Sequence, residues 1–149
     1  MPACAVPLRL DRPLRDRKAE RFNERAEVRW FGLAGRFGDD HEALIHLLRR
    51  GEGALGGGGT AALNGGLIAA GFDAAAVLAG LGHYDSDLVV TLDLSVRFLR
   101  LALANEADEF AARVVKSTRS IAFIEGELRS RRAPGTVPFA TLTAMVGPV

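Results

Sequence analysis

Cysteine is nearly absent: Cys4 is the only one in 149 residues. An intramolecular disulfide is excluded, a cysteine-based metal site is not expected, and a reducing, cytoplasmic setting fits. Aromatic residues are sparse, and none interleave with the basic residues as base stacking on nucleic acid requires. An excess of charge is lacking too. The formal net charge is +1, too little to draw the chain to nucleic acid or an anionic membrane. Met1 to Leu10 holds two prolines and no long apolar run, so no secretory leader is expected.

Several chemistries lack their residues. His41, His46 and His83 make no metal-ligand spacing with one another or with Cys4, so no metal is expected, and each reads as a surface or turn histidine. No GxSxG elbow is present, which leaves a serine triad without support. GEGALG (Gly51 to Gly56) matches GxGxxG, but three more glycines follow it, and the next acid, Asp73, lies inside an apolar segment. A dinucleotide fingerprint needs a helix directly after the glycines and the acid at the end of a second strand, so it is disfavoured. No GK[ST] follows, which excludes a P-loop.

The length fits one domain with a real core. Ala and Gly are abundant, and such small side chains suit close packing of a helix on a sheet. Residues 1–12 look irregular. Residues 13–25 read as a short, solvated, charged helix with Pro13 near its start. Residues 26–37 mix apolar and aromatic residues with two glycines, which predicts a strand with a bend. In residues 39–48, Asp39 or Asp40 followed by Glu42 suggests a helix start, while the alternation in EALIHLL also permits a strand.

Residues 51–59 form a Gly-rich loop. Residues 65–82 carry the strongest helix, apolar nearly all round and so expected to be buried, with Gly82 as its stop. Leu63 to Leu81 is about long enough to cross a bilayer, but Asp73 at its middle costs roughly 2.5–3.5 kcal/mol on insertion, which favours a buried core helix. Residues 87–101, 108–118, 119–130 and 137–146 are rich in Val, Ile, Thr and Phe and alternate to differing degrees. They predict successive antiparallel strands, with turns at 104–106, 117–120 and 132–136. A buried helix followed by a run of strands gives an α+β fold with the helix packed on one sheet.

Asp73 is the sharpest candidate, being the only charged residue between Gly53 and Tyr84. An unpartnered buried carboxylate costs several kcal/mol, so an apolar helix does not carry one idly. A catalytic carboxylate is one reading; a structural Asp bonded to backbone or Arg is the other. Asn64-Gly65-Gly66 stands where the loop becomes the helix. The first N–H groups of a helix lack internal partners, so this position can bind an anion or polarise a carbonyl oxygen. Asn64 can cap the helix or touch a ligand itself. Arg97, Arg100, Lys116, Arg119, Arg129, Arg131 and Arg132 decorate the strands. Most suit solvated faces, and a subset suits the phosphates of a nucleotide-bearing substrate.

NGGLIAAGFDAAAVLAGL resembles the HGG-x6-D-x-A signature that opens the central helix of PaaI-like hotdog-fold thioesterases. DLVVTLDLSVRFLRLA resembles that family's next strand, and RVVKSTRSIAFIEGELRS its following hairpin. The resemblance covers roughly residues 28–146. It implies a hotdog fold over residues 26–149, a long central helix wrapped by a curved antiparallel sheet, after an N-terminal extension over residues 1–25. It makes EALIHLL a strand. It implies dimers joined edge to edge through their sheets, often paired into tetramers.

Carried over residue by residue, Asp73 matches the catalytic carboxylate. Gly65 and Gly66 match the signature glycines, with the Gly65 N–H polarising the thioester carbonyl. Thr91 falls where some members place a Ser or Thr, reached across the dimer interface, that positions water. Asn64 replaces the usual His and keeps a carbonyl hydrogen bond but no proton transfer. Gly58 occupies the loop position where an Asn or Gln often lies.

The implied activity is acyl-CoA hydrolysis. The thioester carbonyl sits at the helix N-terminus, and Asp73 of the facing subunit acts as general base or as nucleophile. Basic residues such as Lys116 and Arg119 hold the coenzyme A phosphates, and no cofactor is needed beyond the coenzyme A of the substrate. A non-catalytic acyl-CoA-binding hotdog module is the main alternative. A hotdog dehydratase is a weaker one, because His83 lies beyond the far end of the helix.

Overall fold

The computed structural model describes residues 4–56 and 59–149. Three α-helices are present among the described residues: α1 (Arg12–Asn23), α2 (Ala26–Trp30) and α3 (Gly65–His83). Six strands accompany them: β1 (Leu33–Phe37), β2 (Ala43–Leu47), β3 (Val89–Phe98), β4 (Glu109–Ser117), β5 (Ala122–Arg129) and β6 (Ala140–Pro148). The strands form one antiparallel sheet in the order β1-β2-β4-β5-β6-β3. The sheet curves around α3, which touches every strand. This is the hotdog arrangement within an α+β fold.

α3 begins where Asn64 accepts the Leu67 N–H on its side chain, an N-cap that satisfies one of the unpaired first-turn donors. Its apolar circumference then meets the sheet. Phe72, Ala75, Ala76, Leu78 and Ala79 are fully buried, facing sheet residues such as Phe110, Val114, Leu128 and Val146. Each large side chain so buried contributes about 1.5–3 kcal/mol. Small residues allow the close approach. A Cβ on Gly71 would sit 2.2 Å from the Phe110 ring, so only glycine lets the helix rest there. The helix is long and apolar enough to cross a membrane, but two-thirds of it is buried against the sheet, as a core helix is.

Local readings are corrected in four places. Gly82 does not end α3, which runs to His83. A Cβ at Gly82 would lie 2.5 Å from Phe37, so this glycine serves packing rather than termination. Residues 26–30 are helical rather than extended. Gly32, at φ 71°, turns the chain after α2 and donates its N–H to the Arg29 carbonyl, and the Arg49 guanidinium adds donations to the carbonyls of Arg29 and Trp30 at the end of that short helix.

α1 is not a purely solvated helix either. Ala19 and Phe22 join the core, and Lys18 is buried, donating to the Tyr84 and Ser86 carbonyls beyond the end of α3. Finally, His46 and His83 are buried rather than superficial. Residues 43–47 form a strand, against their local helix signal.

Candidate active site

Asp73 lies half-buried on the face of α3 that the sheet leaves open, beside Ala70 and Ala74. Thr91 reaches it from β3: its Oγ1 donates to Asp73 Oδ1 at 2.5 Å. Inward alternation along β3 puts the buried Val89 and then Thr91 toward the helix, and a bulge between Thr91 and Asp93 interrupts the pairing with β6 just beyond. Asp73 is in no ion pair among the described residues. The pair therefore does not read as a charge locked away to hold the fold.

The carboxylate opens into a cavity of about 310 Å³. Its walls are largely apolar: Phe22 of α1, Val28 of α2, Phe31, Leu33 of β1, and Val77 of α3. Arg25 and Glu27 are charged members of the lining. A second cavity, of about 370 Å³, adjoins the N-terminal end of α3, where Trp30, Phe31, Arg49, Gly53, Asn64 and Leu67 line it. Phe31 is a wall of both.

At the helix start, Gly65 and Gly66 are exposed, and their N–H groups precede the first intrahelical bonds. Partial positive charge and open access make them able to receive a carbonyl or carboxylate oxygen. Asn64 is tied down: Oδ1 accepts from Leu67 N–H at 2.9 Å and Nδ2 donates to the Gly53 carbonyl at 2.8 Å. Its carbonyl oxygen is spent on the cap, and one amide hydrogen remains. Asp73 lies eight residues farther along α3, about 12 Å by helix rise.

The structure brings Asp73 and Thr91 together within one chain, and gathers Asn64, Gly65 and Gly66 at a second point. It does not join these two groups within one chain. Lys116 and Arg119 stand elsewhere, exposed at the β4–β5 turn. That turn is pinned to the C-terminal end of α3, where Tyr84 Oη donates to the Thr118 carbonyl and His83 Nε2 meets Ser117 Oγ, both at 2.9 Å. Gly58 lies outside the described residues. The walls Phe22, Val28 and Phe31 escaped sequence reasoning; their only signal is apolar side chains set within a charged stretch.

Two buried clusters lie outside the lining of the Asp73 cavity. His83 is held below the usual histidine range by burial and then by the nearby Arg9 charge. Glu109 joins His46 and Arg129 across β2, β4 and β5, each at 2.7 Å. Burial alone would raise its carboxyl, but the bonds from His46 and Arg129 outweigh that and hold it below its ordinary value.

The fold is that of a hotdog domain. Residues 61–133, which carry α3 and the next three strands, match the family model of the thioesterase superfamily. Over that segment, just under half of its length, the chain is similar to the thioesterase superfamily. No curated protein matches its sequence.

Solved structures share the fold. A Pseudomonas aeruginosa protein is 20% identical, with a TM-score of 0.75 over 91% of this chain and 99% of that one. A thioesterase family protein from Silicibacter pomeroyi is 20% identical, with a TM-score of 0.72 over 89% and 96%. The Escherichia coli PaaI protein of the phenylacetic acid degradation operon is 16% identical, with a TM-score of 0.70 over 90% and 95%.

Proposed function

We propose that this protein hydrolyses an acyl-CoA thioester to the free acid and coenzyme A, with Asp73 as the catalytic carboxylate. The observation that carries this reading is the Asp73–Thr91 pair: a carboxylate on an otherwise uncharged helix, without an ion-pair partner, open to an apolar cavity. The Gly65 N–H receives the thioester oxygen as charge develops on it. Asp73 either takes a proton from the attacking water or attacks the carbonyl carbon to form an anhydride that water then cleaves. On both routes the C–S bond breaks and the coenzyme leaves as its thiol. Label found in Asp73 after a single turnover in 18O-labelled water marks the anhydride route, with water attacking the Asp73 carbonyl.

The separation of Gly65 from Asp73 supports a site made by two chains. A carbonyl at one helix start is out of reach of the carboxylate about 12 Å along the same helix. A homodimer joined along β3 fits, since β3 is an edge strand bearing exposed Val90, Leu92 and Phe98, a surface that invites pairing. Dimers of this kind pair into tetramers in the family that the chain resembles. Lys116 and Arg119, neither in an ion pair among the described residues, are our assignment for the coenzyme phosphates in a cytoplasmic enzyme that needs no further cofactor.

The test is thiol release from acyl-CoAs of short, medium, long and aryl acyl groups, comparing wild type with Asp73→Asn. Release that depends on Asp73 supports hydrolysis. Saturable binding without release by the wild type would move the protein to a non-catalytic acyl-CoA module.

A further inference from the structure

The cavity beside Asp73 is blind on its core side. Phe22, Val28 and Leu33 are only 2%, 3% and 5% exposed, so that end closes on packed side chains. Phe31 bounds it on another side. The same half-buried ring bounds the 370 Å³ cavity at the start of α3, so one side chain stands between two spaces. Its backbone is fixed. Phe31 caps α2, Gly32 turns the chain next, Arg49 holds the carbonyls of Arg29 and Trp30, and the Trp30 ring meets Phe31 edge-on at 4.9 Å.

Resting on the thioesterase reading above, the geometry points to Phe31 as the residue that sets the size of the acyl group. A cavity of about 310 Å³ stands at the low end of small-molecule sites. It takes a compact acyl group, a short or medium chain or a single aryl ring. Phe31 bars the longer chain that would have to run on into the neighbouring cavity. Truncating Phe31 opens one space to the other without touching Asp73, Thr91 or Gly65.

The experiment measures kcat/KM over straight-chain acyl-CoAs from acetyl to palmitoyl, plus a single-ring aryl acyl-CoA, for wild type, Phe31→Ala and Phe31→Leu. The leucine variant guards against simple loss of packing by the alanine. In parallel, the same series is titrated onto Asp73→Asn and its Phe31→Ala double variant by fluorescence of Trp30, the only tryptophan in the chain and in contact with Phe31. That readout reports binding without turnover.

The wild type should prefer compact acyl groups. Phe31→Ala should move the optimum to longer chains, with the long-to-short ratio of kcat/KM rising about tenfold or more, the scale on which pocket size discriminates methylenes. Hydrolysis that depends on Asp73, with an unchanged chain-length profile in folded Phe31 variants, overturns the role of Phe31 and leaves the thioesterase reading intact. Absence of hydrolysis in every protein, with a chain-length shift in the binding titration, overturns the thioesterase reading and keeps Phe31 as the limit on acyl size. Absence of both overturns both.

Discussion

Thr91 Oγ1 donates to Asp73 Oδ1 at 2.5 Å, and it is the only side-chain donor to that carboxylate among the described residues. The bond leaves Oδ2 for a substrate or water and fixes the plane in which it points. Thr91→Val keeps the shape and removes the donor. A hydrogen bond to a charged group is worth about 1.5–3 kcal/mol, so kcat should fall roughly tenfold to a hundredfold. KM should change little, and Thr91→Ser should restore most of the rate. A larger effect on KM than on kcat would show that Thr91 binds substrate instead of positioning the carboxylate.

Asn64 holds two parts of the site together, the first turn of α3 and the loop at Gly53. Asn64→Ala removes both bonds, and loss of an N-cap costs about 0.5–2 kcal/mol. A drop of that size is expected in chemical denaturation. Asn64→Asp keeps the cap on Leu67 and loses only the donation to Gly53, so it should be the more stable of the two. Equal destabilisation by both would mean that the loop contact, and not the cap, carries the energy.

Much of this fold was legible in the sequence. The long apolar run with one acid marked α3 and Asp73, and the Val-, Thr- and Phe-rich segments marked β3 to β6, because each repeats one local pattern for many residues. The helical α2 was not legible. It spans five residues and depends on Arg49, twenty positions downstream of Arg29. β2 hid its nature for another reason: all five of its positions are buried, so EALIHLL shows no clean polar face. The burial of His46 and His83 was invisible because their partners, Glu109 and Ser117, lie 63 and 34 residues away. Asn64 offered two readings, and only the distances to Leu67 N and Gly53 O show how its amide is engaged.

The two buried clusters predict two acid limbs of stability. His83 has its folded-state pKa below the ordinary value of 6.5, so the unfolded chain binds a proton first. Stability should therefore fall as pH drops below about 6.5 and level off once the folded histidine is also protonated. Glu109 has its folded-state pKa below the ordinary 4.5, so its contribution is present above that pH and lost as pH falls through the folded value. Urea midpoints measured from pH 8 to pH 3 should show both limbs. His83→Gln should flatten the upper limb alone, and Glu109→Gln the lower. An upper limb that persists in His83→Gln would assign it to another group.

The distance between Gly65 and Asp73 makes the strongest claim about assembly. Eight residues of helix, about 12 Å, keep one chain from supplying both the carbonyl-binding N–H and the carboxylate to one thioester. Gly65→Pro deletes only the N–H. Gly65 is the first residue after the N-cap, where proline is accommodated in a helix. The one close neighbour of an added Cβ is the outer end of the Phe98 ring, at 3.3 Å, and that side chain is 58% exposed and has room to yield. Asp73→Asn deletes only the charge.

Each variant alone should be inactive or nearly so. Mixed after unfolding and refolding together, half of the dimers should be heterodimers, and each of these has one site with both wild-type groups. Activity should then recover to about a quarter of the wild-type value, set by this two-fold statistic. Sites built within one chain would give no recovery, because no chain in the mixture carries both groups.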